Sequence, residues 1–136
     1  MRGSQVQKNK RVVAIVDDDE SVRDAIKRLM RSMGLAAEVF ASAEEFLRSP
    51  DLDRTGCLVV DFSMPNMNGL DLRRSLLLQR REIPTILMTA YPSDDVRARA
   101  LQAGVLGYLS KPFSDHELLS YVRTALDRGN GHTSTS

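Results

Sequence analysis

Five polar residues in this sequence each follow an apolar run that is typical of a buried β-strand. They are Asp17, Asp18, Asp61, Thr89 and Lys111. Open α/β sheets place their reaction and ligand sites at the carboxyl ends of strands. Each residue also has a plainer explanation, because an acid after a strand often caps a helix and a Lys-Pro pair is common in loops. The interpretation therefore depends on whether the fold brings the five together.

Composition narrows the class of protein. The chain has 136 residues, 42% of them hydrophobic and 27% charged, which fits one globular domain with a proper core. A net charge of +1 and the lack of a long basic run give no indication of nucleic-acid binding. No apolar run is as long as a membrane span or a signal-peptide core, so we expect a cytoplasmic location and no contact with a membrane. The single Cys57 is expected to be a buried apolar residue.

Apolar patterning predicts five strands alternating with five helices. The strands are expected at residues 12–16, 36–40, 57–60, 83–88 and 105–109. In the third helix, expected from about Leu70 to Arg81, Arg73 is assigned to the solvent face. Residues 1–11, which begin Met-Arg-Gly-Ser, are interpreted as an expression leader or disordered segment, residues 12–127 as the domain and residues 128–136 as a disordered tail or linker stub.

This alternation predicts an α/β fold, namely a single doubly wound, five-stranded parallel sheet with helices on both faces. The flavodoxin-like strand order 2-1-3-4-5 is favoured, with its switch point between the first and third strands. In that order all five strand-end residues lie along one edge of the sheet. Five strand ends that agree are a much stronger signal than any one of them.

The chemistry of the group follows from its charges. Three carboxylates close together repel one another, so such a cluster takes up a proton or holds a cation. Oxygen ligands without histidine or cysteine favour Mg²⁺. Lys111 offers a positive charge to a phosphoryl oxygen, and Thr89 offers a hydroxyl donor. An aspartate beside Mg²⁺ and lysine is the arrangement of a nucleophile that forms an aspartyl-phosphate.

The motif set resembles that of receiver domains of two-component response regulators, and most resembles the receivers of FixJ/NarL-type regulators. The matching residues are Asp17-Asp18, Asp61-x-x-Met64-Pro65-x-Met67-x-Gly69, Thr89-Ala90 and Lys111-Pro112-Phe113. The resemblance runs from about Val12 to Leu126 and implies the flavodoxin-like receiver fold.

The resemblance implies a role for each site residue. Asp61 would accept a phosphoryl group from a histidine kinase or phosphotransfer protein. Asp18, Asp61 and the Ser63 carbonyl would ligate Mg²⁺, and Asp17 would act mainly through a bound water. Thr89 and Lys111 would hold the phosphoryl oxygens. Such a domain is not an enzyme beyond its self-catalysed phosphoryl transfer and slow autodephosphorylation.

The resemblance also implies a switch. Tyr108 would turn inward as Thr89 moves toward the phosphate, and the face formed by helix 4, strand 5 and helix 5 would carry the signal. The Lys111–Pro112 bond would be cis. The output would be transcription, with DNA contacted only through an effector domain outside this sequence, and a phosphorylation-dependent homodimer is a further expected partner. The sequence favours a receiver excised from a longer regulator over a stand-alone one.

Two further residues and two alternatives complete the interpretation. Asp19 is read as a helix cap, and Tyr91 is hypothesised to lie over the phosphorylation site and to slow hydrolysis. Asp17-x-Asp19 also matches the nucleophile loop of haloacid-dehalogenase-type phosphatases, in which Asp17 would be the nucleophile. The short chain and the acid at Asp61 argue against that class. A receiver that only binds partners is the other alternative, and the full set of site residues argues against it.

Overall fold

The structure is a computed structural model that describes residues 11–135, with side chains described through residue 128. The strands are β1 (Val12–Val16), β2 (Ala37–Phe40), β3 (Thr55–Asp61), β4 (Thr85–Thr89) and β5 (Gly107–Ser110). The helices are α1 (Glu20–Ser32), α2 (Ala43–Leu47), α3 (Gly69–Leu78), α4 (Asp94–Gln102) and α5 (Asp115–Thr135), with a short 3₁₀ turn at Leu52–Arg54. Of the predicted leader, residues 1–10 lie outside the described part of the chain.

The sheet confirms the predicted topology. Its five strands are all parallel and lie in the order β2-β1-β3-β4-β5. Val16 of β1 pairs with Val60 of β3, so Asp17 and Asp61 come next on neighbouring chain segments. Asp61 pairs with Met88, the residue before Thr89, and Thr89 pairs with Ser110 of β5. The register therefore places the four strand ends that carry the predicted residues side by side along one edge.

The sheet is buried on both faces because helices cover both. Every residue of β1, β3 and β4 is buried, as the apolar runs at their centres predict. Alternate residues of β1 belong to two cores: Ala14 and Val16 pack toward α3, whereas Val13 and Ile15 pack toward α1 and α5. Because the helices cover only the two faces of the sheet, the loops at the carboxyl ends of the strands are available to form a site.

Helix α4 is lightly packed. Its buried side chains are Val96 and Ala100, and Leu101 is 65% exposed. Among residues 11–135, no helix has the length and apolar character needed to cross a membrane.

Several expectations need correction, among them the end of the third helix, which lies at Leu78 rather than at Arg81. Arg73 is buried rather than solvent-facing, because its position on α3 falls within the apolar stripe between Leu70 and Leu76. β5 begins at Gly107, because Val105 is still tied to the end of α4 through its amide on Ala100. The backbone of α5 continues to Thr135, where a tail without structure was expected, since a helix that is already nucleated extends at little cost.

Candidate active site

Asp17 directly follows β1, and its main-chain and side-chain polar atoms are hydrogen-bonded to several parts of the fold. Its amide donates to the carbonyl of Phe40, and its Oδ1 accepts from the amide of Asp19 at 2.9 Å. Its Oδ2 accepts from Nζ of Lys111 at 2.9 Å, and Asp17 is only 1% exposed. The Asp17 carboxylate is therefore fixed at the site, whereas the neighbouring Asp18 is exposed.

Asp61 ends β3 as a buried carboxylate that faces the same cluster. It is 5% exposed, and its Oδ1 lies 3.0 Å from Nζ of Lys111. Lys111 thus bridges the carboxylates of Asp17 and Asp61 from a position 94 residues beyond the first of them. The Lys111–Pro112 peptide bond is cis, as the resemblance implies.

The surroundings of the cluster raise the pKa values of Asp61 and Lys111. Burial raises the pKa of Asp61, and the negative charges of Asp17 and Asp18 raise it further, although the hydrogen bond from Lys111 opposes both. Burial by itself would lower the pKa of Lys111, but its hydrogen bonds to Asp17 and Asp61 outweigh burial and raise it. Lys111 therefore stays protonated at neutral pH and holds two like charges together.

The three acids fit a hard divalent cation. Asp17, Asp18 and Asp61 each offer a carboxylate oxygen, and these oxygens lie within 4.8 Å of one another. Carboxylate ligands with an open, partly solvated side are what Mg²⁺ prefers, because it retains several waters. The exposure of Asp18 provides that open side. Ser63 is exposed in the loop after Asp61, and its carbonyl as a ligand stays a prediction.

Thr89 ends the neighbouring strand and is fully buried. Its Oγ1 accepts a hydrogen bond from the amide of Tyr91 at 3.0 Å. The side chain of Tyr91 is 80% exposed, so a shielding role would require it to turn over Asp61. The carbonyl of Thr89 accepts from the amide of Lys111 at 2.8 Å, which ties the end of β4 to the loop that carries the lysine.

Tyr108 lies on β5 beside the first turn of α4 and is half-buried. Its hydroxyl accepts a long hydrogen bond, 3.4 Å, from the amide of Ser93. The guanidinium of Arg97 lies over its ring at 6.0 Å from the centroid, within reach of a cation–π contact. Tyr108 is thus held against the start of α4, at the margin of the core against which it packs.

Asp19 and Cys57 have the structural roles predicted for them. Asp19 is the N-cap of α1, since its side chain accepts the amide of Ser21 at 2.9 Å. Cys57 is fully buried, and burial raises the pKa of its thiol to about 12, so it is an inert core residue.

Two contacts of the site were not predicted from the sequence. Arg23 donates from Nη1 to the carbonyl of Asp17 at 2.8 Å. Gly69 starts α3 against β3, where an added Cβ would lie 2.7 Å from the carbonyl oxygen of Asp61. The glycine was visible as part of the loop motif, but this close approach was not. Nothing in the local pattern distinguishes Arg23 from the other charged residues of α1.

Fold and site together define a class. A flavodoxin-like parallel sheet with an acidic cluster and a lysine at the carboxyl ends of its strands is the arrangement expected of a receiver domain. The family model for the response regulator receiver domain matches residues 13–123. The chain belongs to this family, and so is the receiver domain of a two-component response regulator rather than a conventional enzyme or a haloacid-dehalogenase-type phosphatase.

Individual relatives support the same family assignment. The response regulator protein TodT of Pseudomonas putida is 39% identical over 115 residues, covering 85% of this chain and 51% of TodT. The transcriptional regulatory protein FixJ of Azorhizobium caulinodans is 36% identical over 117 residues, covering 85% of this chain and 55% of FixJ. The crystal structure of FixJ-N superposes with a TM-score of 0.78 at 31% identity, covering 87% of this chain and 94% of that one. The chain thus spans about half the length of these curated relatives, among which are transcription regulators.

Proposed function

We propose that Asp61 accepts a phosphoryl group from a histidine kinase or a phosphotransfer protein and that this modification switches the α4–β5–α5 face. The observation that carries the proposal is the placement of Asp61, a buried carboxylate 3.0 Å from the lysine that also holds Asp17. Asp61 ends β3, the central strand of the sheet. It therefore lies between Asp17, which follows β1, and Thr89, which ends β4.

The chemistry is an in-line displacement. A carboxylate oxygen of Asp61 attacks the phosphorus of a phosphohistidine, the phosphorus–nitrogen bond breaks, and the electron pair leaves with the imidazole. Lys111 then meets a phosphoryl oxygen instead of the Asp61 carboxylate, and the Thr89 hydroxyl donates to another. Both groups stabilise the negative charge that spreads over the transferring oxygens.

Mg²⁺ would be held by Asp18, Asp61 and the Ser63 carbonyl, with Asp17 acting through a bound water, and when bound it would neutralise the phosphoryl oxygens. Support for this assignment comes from the different surroundings of the two neighbouring acids. Both carboxylate oxygens of Asp17 already have protein donors, whereas Asp18 is exposed.

The switch would begin at Thr89. Its hydroxyl accepts the Tyr91 amide in the unphosphorylated protein and would have to turn its proton toward the phosphate. The movement of Thr89 would open space beside β5, into which Tyr108 could turn once it leaves the Ser93 amide and the Arg97 guanidinium. The light packing of α4 supports a movable element at this position.

The output would be transcriptional, through an effector domain beyond this sequence, with a phosphorylation-dependent homodimer formed on the α4–β5–α5 face. We place the domain in the cytoplasm, where a regulator would meet both its kinase and DNA. The domain would catalyse only its own phosphorylation and slow dephosphorylation.

The test is to find which residue carries the phosphate. The phosphorylated protein is reduced with borohydride, which converts an acyl phosphate to an alcohol, and is then digested and sequenced by mass spectrometry. We expect homoserine at position 61. Homoserine at position 17 would support the phosphatase-type nucleophile and contradict the proposal.

A further inference from the structure

Arg23 lies beside the acidic cluster without belonging to it. It is on the first turns of α1, is half-buried, and donates from Nη1 to the main-chain carbonyl of Asp17 at 2.8 Å. No carboxylate is needed to explain its position, because the carbonyl is a good acceptor for a guanidinium. Its contact is therefore with the backbone of the loop that carries the acids.

We propose that Arg23 is a positioning residue that sets the direction of Asp18 and so the affinity of the site for Mg²⁺. The inference rests on the proposed function, in which Asp18 ligates the ion. The carbonyl of Asp17 belongs to the peptide unit that joins Asp17 to Asp18, and that unit is planar. Fixing its oxygen therefore fixes the plane from which the Asp18 side chain projects.

The remaining contacts of the loop show why this bond matters for Asp18 in particular. The amide and both carboxylate oxygens of Asp17 are held by Phe40, Asp19 and Lys111. Its carbonyl is held by Arg23. Asp18 is exposed, so packing does not set its direction. The direction of its Cα–Cβ bond follows from the two peptide units that flank it, and Arg23 holds the first of them.

The charge of Arg23 acts in the opposite direction from its hydrogen bond. A positive charge near three carboxylates repels a divalent cation, so its removal alone would tighten Mg²⁺ binding. Loss of the hydrogen bond would loosen the loop and weaken binding, because Asp18 would have to be ordered when the ion binds. The sign of the change in affinity therefore distinguishes a positioning residue from a charge that is merely nearby.

The experiment measures ion affinity without any phosphodonor. Binding of Mn²⁺ is followed by electron paramagnetic resonance, and Mg²⁺ affinity is obtained by competition. Arg23→Met removes the charge and the donor, Arg23→Lys keeps the charge and one donor, and Arg28→Met removes an exposed charge from the same helix. Thermal unfolding in EDTA is recorded for each variant, so that affinity is compared between folded proteins.

We expect Arg23→Met to weaken Mg²⁺ binding several-fold, Arg23→Lys to restore most of the loss, and Arg28→Met to leave the affinity unchanged or slightly tighter. Unchanged or tighter binding in Arg23→Met would overturn the inference. So would equal weakening in Arg23→Met and Arg28→Met. If Arg23→Met does not fold, Arg23→Leu, which also lacks the charge and the donor, is measured against the same criteria. A wild-type protein that binds neither ion would instead contradict the proposed function.

Discussion

Nζ of Lys111 lies 3.0 Å from Oδ1 of Asp61. The same ammonium group binds Asp17 at 2.9 Å, so one cation holds two buried carboxylates that would otherwise repel each other. In the proposed reaction this cation would pass from the Asp61 carboxylate to the phosphoryl group that replaces its charge. The contact therefore links the resting structure of the site to its chemistry.

Replacing Lys111 with Met is expected to slow phosphorylation of Asp61 while leaving ion binding intact. The variant loses a donor to the transferring oxygens, and we expect the rate with a small phosphodonor to fall by about 10²-fold. Mg²⁺ affinity should not fall, since a competing cation has been removed. The control is Lys27→Met on α1. A Lys111→Met protein that is phosphorylated at the wild-type rate would contradict the role of the lysine.

The pKa of Asp61 gives a prediction about stability without metal. Burial raises this pKa above the usual value of 3.8, so the folded protein binds the proton more tightly than the unfolded chain. Ionised Asp61 therefore destabilises the fold, and this cost appears as the pH rises through the raised pKa. In EDTA we expect Asp61→Asn to melt at a higher temperature than wild type at pH 7.

That difference should shrink as the pH falls toward 3.8, because wild-type Asp61 then becomes neutral as well. The matched control is Asp24→Asn, which removes an exposed carboxylate from α1. An Asp61→Asn protein that melts below wild type at pH 7 in EDTA would show that the ionised carboxylate stabilises the fold.

Arg73 should matter for stability rather than for chemistry. Its guanidinium is buried and donates to the carbonyls of Ala103, Ile83 and Gly104 at 2.9, 2.8 and 3.1 Å. Arg73→Met removes one donor from each of three carbonyls, and among the described residues only that of Ile83 keeps another, the Thr85 hydroxyl. We therefore expect the free energy of unfolding in urea to fall by about 3 kcal/mol. Arg74→Met, at an exposed neighbouring position, should change it by less than about 0.5 kcal/mol. Equal effects of the two variants would contradict this stabilising role of the Arg73 hydrogen bonds.

Tyr91 tests whether the loop after β4 protects the phosphate. Although it is exposed in the resting structure, its amide is bound to Thr89, whose hydroxyl would move on phosphorylation. We expect Tyr91→Ala to shorten the half-life of the phosphorylated protein, and Tyr91→Phe to keep it, because the ring rather than the hydroxyl would exclude water. An unchanged half-life in Tyr91→Ala would contradict the hypothesis that the Tyr91 ring shields the phosphate.

The sequence predicted most of the fold because its signals are local. The apolar runs of β1 and β3 are unbroken, and caps such as Asp19 and Ser42 mark where helices start. Parallel topology then places every strand end on one edge, which is why the acidic cluster and Lys111 could be expected to meet.

Long-range polar contacts were not predictable in the same way. Arg73 was assigned to solvent by its charge, although its spacing from Leu70 and Leu76 places it on the buried stripe. Its acceptors Ala103 and Gly104 lie 30 and 31 residues away, so no local pattern reveals them. Arg23 is a similar case, since its partner is a backbone carbonyl and any residue type offers one.

The most direct test of the central claim is the intact mass of the protein after incubation with Mg²⁺ and acetyl phosphate. We predict that wild type gains the mass of one phosphoryl group, that hydroxylamine removes it as it would an acyl phosphate, and that Asp61→Asn gains nothing. Asp17→Asn should still accept the group, although more slowly. A wild-type protein that gains no hydroxylamine-labile phosphoryl group, or an Asp61→Asn protein that gains one at the wild-type rate, would contradict the assignment of Asp61 as the acceptor.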